Sequence, residues 1–154
     1  MSGLYKTDYG AWIQKQVMLI EKQQWDLVDI GHLVEELESL GKQQRQELRN
    51  RLSVLMGHLL KWEFQPKKRS RSWLATIRIQ RREIAKLLEE NPSLKAYLDE
   101  ALSWSYENGR DLAMGETDLP EDAFPAKLTY SSEQVVDPSF FPGIHSDWTD
   151  GARS

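Results

Sequence analysis

Cysteine is absent from all 154 residues. That removes disulfide frameworks, thiolate nucleophiles and cysteine-ligated zinc or iron–sulfur sites together, and it suits a reducing cytoplasm. Histidine is nearly as scarce: three occur, one of them His145 near the C-terminus, so no three-ligand zinc set can be named. Gly-x-Ser-x-Gly, Gly-x-Gly-x-x-Gly and the Walker pattern are all missing. Nucleophile-elbow hydrolases and phosphate-cradling nucleotide enzymes are therefore disfavoured, and no cofactor is expected. Long apolar runs are missing too. The best stretch, Leu52 to Leu60, is interrupted by Ser53, Gly57 and His58 and falls well short of the roughly 20 residues a membrane span needs. The opening MSGLYKTDYGAW has neither a basic start nor an apolar core, so no cleaved signal is expected and the expected location is the cytoplasm.

What is present is a globular composition, 40% hydrophobic and 29% charged, in a chain long enough to bury a core without staples. The net charge of −4 conceals a segregation. Between Lys61 and Arg82 eight Lys/Arg stand against one Glu, giving +7 and leaving −11 for the rest.

Apolar residues recur at three- and four-residue spacing as far as about residue 115, the period of amphipathic helices. A first helix, capped at Thr7 or Asp8, aligns Tyr9, Trp12, Ile13, Gln16 and Ile20 and fades near Gln24. Asp29 caps a second whose buried face is Ile30, Leu33, Val34, Leu37 and Leu40, with Gly41 as a stop or bend. In a third, Leu48, Leu52, Leu55, Leu59 and Trp62 alternate steps of four and three, forming a seam that marks it as central; Pro66 ends it. After a basic connection, Lys67 to Arg71, Ser70 or Ser72 caps a fourth helix with Trp73, Ile77, Ile84 and Leu88 inward, as far as Asn91-Pro92. The fifth turns Leu94, Tyr97, Leu98, Ala101 and Trp104 towards the bundle. From Glu116 onward, Pro120, Pro125, Pro138 and Pro142 break any long helix. Ser131 to Asp137 makes one helical turn, Phe124, Tyr130, Phe140 and Phe141 pin the segment to the bundle, and the last ten residues fray. The expected fold is all-α: about five helices over residues 1–115, with an irregular proline-bearing tail over residues 116–154 packed on the bundle or trailing from it.

Five blocks, LYKTDYGAW at the start, EELESLG from Glu35, HLLKWEFQP from His58, SWLATIRIQR from Ser72 and NPSL from Asn91, occur in this order. With them the chain resembles the bacterial family catalogued as domain of unknown function 29, from about Leu4 through the fifth helix and more loosely into the tail. The resemblance implies an all-helical intracellular protein and assigns no activity.

The candidate chemistry is local. His58 sits in the apolar seam, a position suited to a general acid or base near neutrality. Arg51, seven residues earlier, shares its helix face, a spacing similar to that of helical metal-independent ribonucleases. The structural alternative for His58 is a core imidazole bonded to a backbone carbonyl and to Glu35 or Glu36. His32 and Glu36 lie one turn apart, yet the Glu-x-x-His order of carboxylate-bridged metal sites is missing, so a solvated acidic face is the preferred reading and no metal is assigned. The cationic set Lys61, Lys67, Lys68, Arg69, Arg71, Arg78, Arg81 and Arg82, with Trp62 beside it, is the strongest surface signal. Pairing within the chain or with a second copy, an acidic protein partner and nucleic acid all remain open for it. The expected function is a non-catalytic interaction module using this segment, with a ribonuclease-like enzyme built on Arg51 and His58, or a nucleic-acid binder, as alternatives.

Overall fold

The computed structural model describes residues 2–145, and every regular element in them is helical. The last ten residues lie, but for His145, outside the described ones. Six α-helices succeed one another: α1 Ser2–Thr7, α2 Tyr9–Glu21, α3 Ile30–Phe64, α4 Arg71–Glu90, α5 Leu98–Gly115 and α6 Ser132–Val136. Short 3-10 turns fill the connections. The chain groups into two compact units, Met1–Gln44 and Arg45–Ser154, with the boundary inside α3.

In the first unit, Asp8 caps α2 by accepting from the Ala11 amide at 3.1 Å. The helix ends where Gln23 takes φ +57 and the Gln24 amide reaches back to the Leu19 carbonyl, a paired closure that satisfies the last carbonyls. After the turn, α3 runs antiparallel to α2: Tyr9 meets Glu36, while Trp12 and Gln16 meet Asp29. Two expectations fail here. Gly41 does not stop the helix, because good helix formers on both sides continue α3 past it. Most of the predicted inward face of its first half turns to solvent, Leu37 being 66% exposed and Ile30, Val34 and Leu40 comparably so, while Leu33 is half-buried. Tyr9, Ile13 and Ile20 of α2 are likewise exposed, and only Trp12, Gln16 and Leu19 of that helix are buried.

The second unit holds the main core. Leu48, Leu52, Leu55, Leu59 and Trp62 are sealed as the seam requires, and Ile77, Ile84, Leu88, Leu94 and Ala101 pack with them. Trp104 is the exception: it lies outside, with the Arg49 guanidinium 4.8 Å above its ring. Pro66 follows the end of α3, and Ser70 caps α4 through the Trp73 amide at 3.2 Å. The proline-bearing segment belongs to this unit. Phe124, Tyr130 and Val135 enter the core, Phe140 and Phe141 lean on it, and α6 is closed by a capping box between Ser131 and Gln134.

Small residues set how closely α3 and α5 approach. A Cβ on Gly109 would stand 2.7 Å from the Met56 Cβ, and one on Gly57 would stand 3.1 Å from the Gly109 carbonyl oxygen. One turn away, the Ser105 hydroxyl donates to the Arg49 carbonyl of α3 at 3.0 Å. The contact is therefore backbone against backbone, with no room for a methyl group. Gly109→Ala is expected to lower the unfolding free energy by about 1–3 kcal/mol through overpacking. Gly115→Ala, at a position open to solvent, should be neutral or slightly stabilising; urea-unfolding midpoints of the two variants provide the comparison.

Candidate functional site

The cationic segment divides into an inner and an outer set. The inner set departs from the sequence expectation of a docking surface: Lys61, Trp62, Arg69 and Arg81 are all buried. Lys61 pairs with Glu116 and lies 4.8 Å from the Trp73 ring centre. Trp62 fills the end of the core seam and touches Phe141 at 5.2 Å between ring centres, so it is a packing residue rather than a stacking platform.

Arg69 and Arg81 act as backbone clamps. The Arg69 Nε donates to the Trp62 carbonyl at 2.8 Å, one of the orphan carbonyls in the last turn of α3. Its Nη1 donates to the Ile144 carbonyl at 2.6 Å and its Nη2 to that of Pro142. Gly143, between these two acceptors, has φ +86, and a Cβ there would meet the Glu63 backbone at 3.1 Å, so the loop closes over Arg69 only with glycine. Arg81 donates from Nε to the Val135 carbonyl at 2.8 Å and from Nη2 towards that of Gln134, with its guanidinium over the Phe141 ring. Burial lowers the Arg81 pKa to about 10, with Asp137 opposing, and the group stays cationic at neutral pH. Its buried Nη1 has no hydrogen-bond partner among the described residues.

The outer set is Lys67, Lys68, Arg71, Arg78 and Arg82, all exposed. Among the described residues no ion pair involves any of them. Arg78 and Arg82 border a groove of about 450 Å³ whose remaining walls are Arg81, Ala85, Val136 and Pro138. The groove is thus lined by arginines of α4 and by apolar residues from both α4 and the tail.

Arg51 and His58 make separate local contacts. The Arg51 guanidinium donates to Glu47 and Gln80, each at 3.3 Å, with the Glu83 carboxylate 3.9 Å away. His58 is half-buried, and its Nδ1 donates to the Val54 carbonyl at 2.9 Å, the backbone bond of the structural alternative. Of the two carboxylates named for that alternative, Glu36 instead accepts the hydroxyls of Tyr5 and Tyr9, and Glu35 makes no hydrogen bond to His58. No hydrogen bond joins Arg51 to His58. Burial holds the His58 pKa below its usual value and the Lys61 ammonium pushes the same way, while the Val54 carbonyl and Glu116 oppose.

One constellation escaped the sequence reading. Asp29 accepts from the His32 Nδ1 at 2.7 Å and from the Trp12 indole at 3.0 Å, and Tyr5 stacks on the imidazole at 4.0 Å. The His32 hydrogen bond is the main reason that Asp29 titrates below its ordinary value. The bond fixes the imidazole tautomer, as in an acid–base pair, and among the described residues the pocket that Asp29 and His32 line contains no serine or threonine to be activated. The i, i+3 spacing of Asp29 and His32 was the available signal, masked because aspartate at a helix start already has a capping role.

These features define an all-helical protein whose charged residues serve partly as internal clamps and partly as an open cationic surface. The chain belongs to the family described as domain of unknown function DUF29, whose model matches residues 4–141. No curated protein and no solved structure matches it. No helix among the described residues is long and apolar enough to cross a membrane.

Two outcomes follow from the buried groups. Arg81→Leu strands the Val135 and Gln134 carbonyls and should cost about 1.5–3 kcal/mol per charged hydrogen bond lost; earlier proteolysis after Phe124 in limited digests reports the freed tail. For His58, a folded-state pKa below the unfolded one means that its contribution is fully present above the unfolded value, near 6.5, and is lost as pH falls through the folded value. The stability of the wild type should accordingly fall more steeply between about pH 7 and pH 5 than that of His58→Gln, measured by urea midpoints.

Proposed function

We propose that the protein is a non-catalytic interaction module that docks an acidic protein segment along the outer cationic set. The observation that carries this is the exposure of Lys67, Lys68, Arg71, Arg78 and Arg82 without an ion-pair partner among the described residues, in a chain whose net charge is −4. Unpaired surface cations steer an anionic partner and set its register, adding more to association rate and specificity than to raw affinity. The groove beside Arg78 and Arg82 supports a protein segment over a nucleic acid. Its floor, Ala85, Val136 and Pro138, suits small apolar side chains between carboxylates, and no exposed aromatic ring lines it to stack on a base. The acidic composition of the whole chain points the same way, since a nucleic-acid-binding domain is ordinarily basic.

Replacing all five outer cations by glutamate should abolish capture of the cognate protein from nuclease-treated native lysate while leaving the far-ultraviolet circular dichroism unchanged. The wild-type complex should be released by about 0.5 M salt, where the screening length is only a few ångströms. An identical capture profile from the variant, or a wild-type profile that disappears on nuclease treatment, would overturn the proposal.

A further inference from the structure

The first unit carries its apolar surface on the wrong side for a finished fold. Where α2 and α3 face one another the contacts are polar and aromatic: the Tyr5 and Tyr9 hydroxyls meet Glu36, and Trp12 and Gln16 meet Asp29. Apart from Leu19, buried on the Trp12 side of α2, most of the aliphatic residues of the two helices lie elsewhere. At about 100° per residue, the stripe of Ile13, Val17 and Ile20 is centred roughly a quarter-turn round α2 from Trp12 and Gln16. By the same count, the stripe formed by Ile30, Val34, Leu37 and Leu40 is centred roughly a quarter-turn or more round α3 from Asp29, His32 and Glu36. Both displacements have the same rotational sense along the chain, and the two helices run antiparallel, so the two stripes come out on the same side of the pair. The result is one continuous apolar face without a charged residue in it.

Its size is that of an interface. The seven side chains are each 39–66% exposed. At ordinary side-chain areas they present roughly 650 Å² of surface, within the range one partner contributes to a standard protein–protein interface and more than a monomer usually leaves in one patch. A charge-free face offers nothing for an acidic or basic partner to pair with. A layer of two helices that is apolar on one side is completed by a second such layer, and another copy of this chain supplies one of equal width and composition.

We infer that the protein is a homodimer in which the apolar faces of two α2–α3 hairpins pack on each other to form a four-helix layer pair. The partner in this interface is a second copy of the chain, and the association is apolar, independent of the cationic segment. A two-fold axis through the face makes it self-complementary and closes the assembly at two copies.

Sedimentation equilibrium of the full chain tests this. The wild type should sediment as a dimer at micromolar concentration, and about 0.5 M salt should leave the dimer intact, because screening acts on charges and not on apolar burial. Val34→Glu with Leu37→Glu should raise the dimer dissociation constant at least about a hundredfold, since each copy would then bury unpaired carboxylates. Both positions are exposed in the isolated chain, so the circular dichroism should not change. Ile13→Glu, on the other helix, gives the same readout if that double variant unfolds. Glu35→Lys, on the polar side of α3, should remain dimeric. A wild type that stays monomeric up to about 100 µM, or a dimer that survives Ile13→Glu and the double variant alike, would overturn the inference, as would a dimer that dissociates in salt.

Discussion

Two buried guanidinium groups, Arg69 and Arg81, hold the proline-bearing C-terminal segment in place, and the form of the second unit depends on them. A segment broken by Pro120, Pro125, Pro138 and Pro142 makes few backbone hydrogen bonds of its own, yet its carbonyls must be paired where it is buried. Arginine answers this because its planar head presents five donors and can serve several carbonyls at once. Arg69 serves three, one of them in the last turn of α3, so one side chain both caps the central helix and fastens the chain that returns over it. Arg81 does the same for α6. Phe141 lies against Trp62 and under the Arg81 guanidinium, and the aromatic and hydrogen-bonding contacts therefore reinforce each other.

The second unit was largely legible because its signals are local. The seam from Leu48 to Trp62, the stop at Pro66, the cap at Ser70 and the turn opened by Ser131 are each encoded within a few residues, and each is present. The first unit was legible in α2 and in the start of α3, not in α1, and was misread in its faces. Periodicity identifies the side of a helix that seeks cover but not whether the cover comes from the same chain. The stripe of Ile30, Val34 and Leu37 has the period of a core, and it stands in solvent because the inward contacts of α3 were taken by Asp29, His32 and Glu36. Gly41 was misread for a different reason: a lone glycine costs a helix only about 1 kcal/mol, which the residues on either side supply.

The site was legible as charge and not as pairing. Eight cations between Lys61 and Arg82 are evident from composition, but their neighbours come from far along the chain: Glu116 for Lys61, Pro142 and Ile144 for Arg69, Val135 for Arg81. No local pattern announces a partner more than 50 residues away. What separates a clamp from a surface cation is burial, and the heptad-like position of Arg81, on the same face as Ile77 and Ile84, carries a faint trace of it. Arg78 and Arg82 differ from Arg81 by a fraction of a turn, and that rotation alone assigns them to solvent.

The two unused surfaces obey different physics, and the difference bears on how they would work together. Contacts made by Lys67, Lys68, Arg71, Arg78 and Arg82 are each worth little in water and are screened by salt. The hairpin face has no charge to screen, and its association scales with the area removed from water. A dimer held by the second presents two copies of the first, and when both reach one partner the second contact forms at high effective concentration. Modest surface charges then bind with useful avidity while each contact remains individually reversible. Apolar burial is thus suited to holding the assembly together and the cations to exchanging what it carries, a division that neither surface could provide alone.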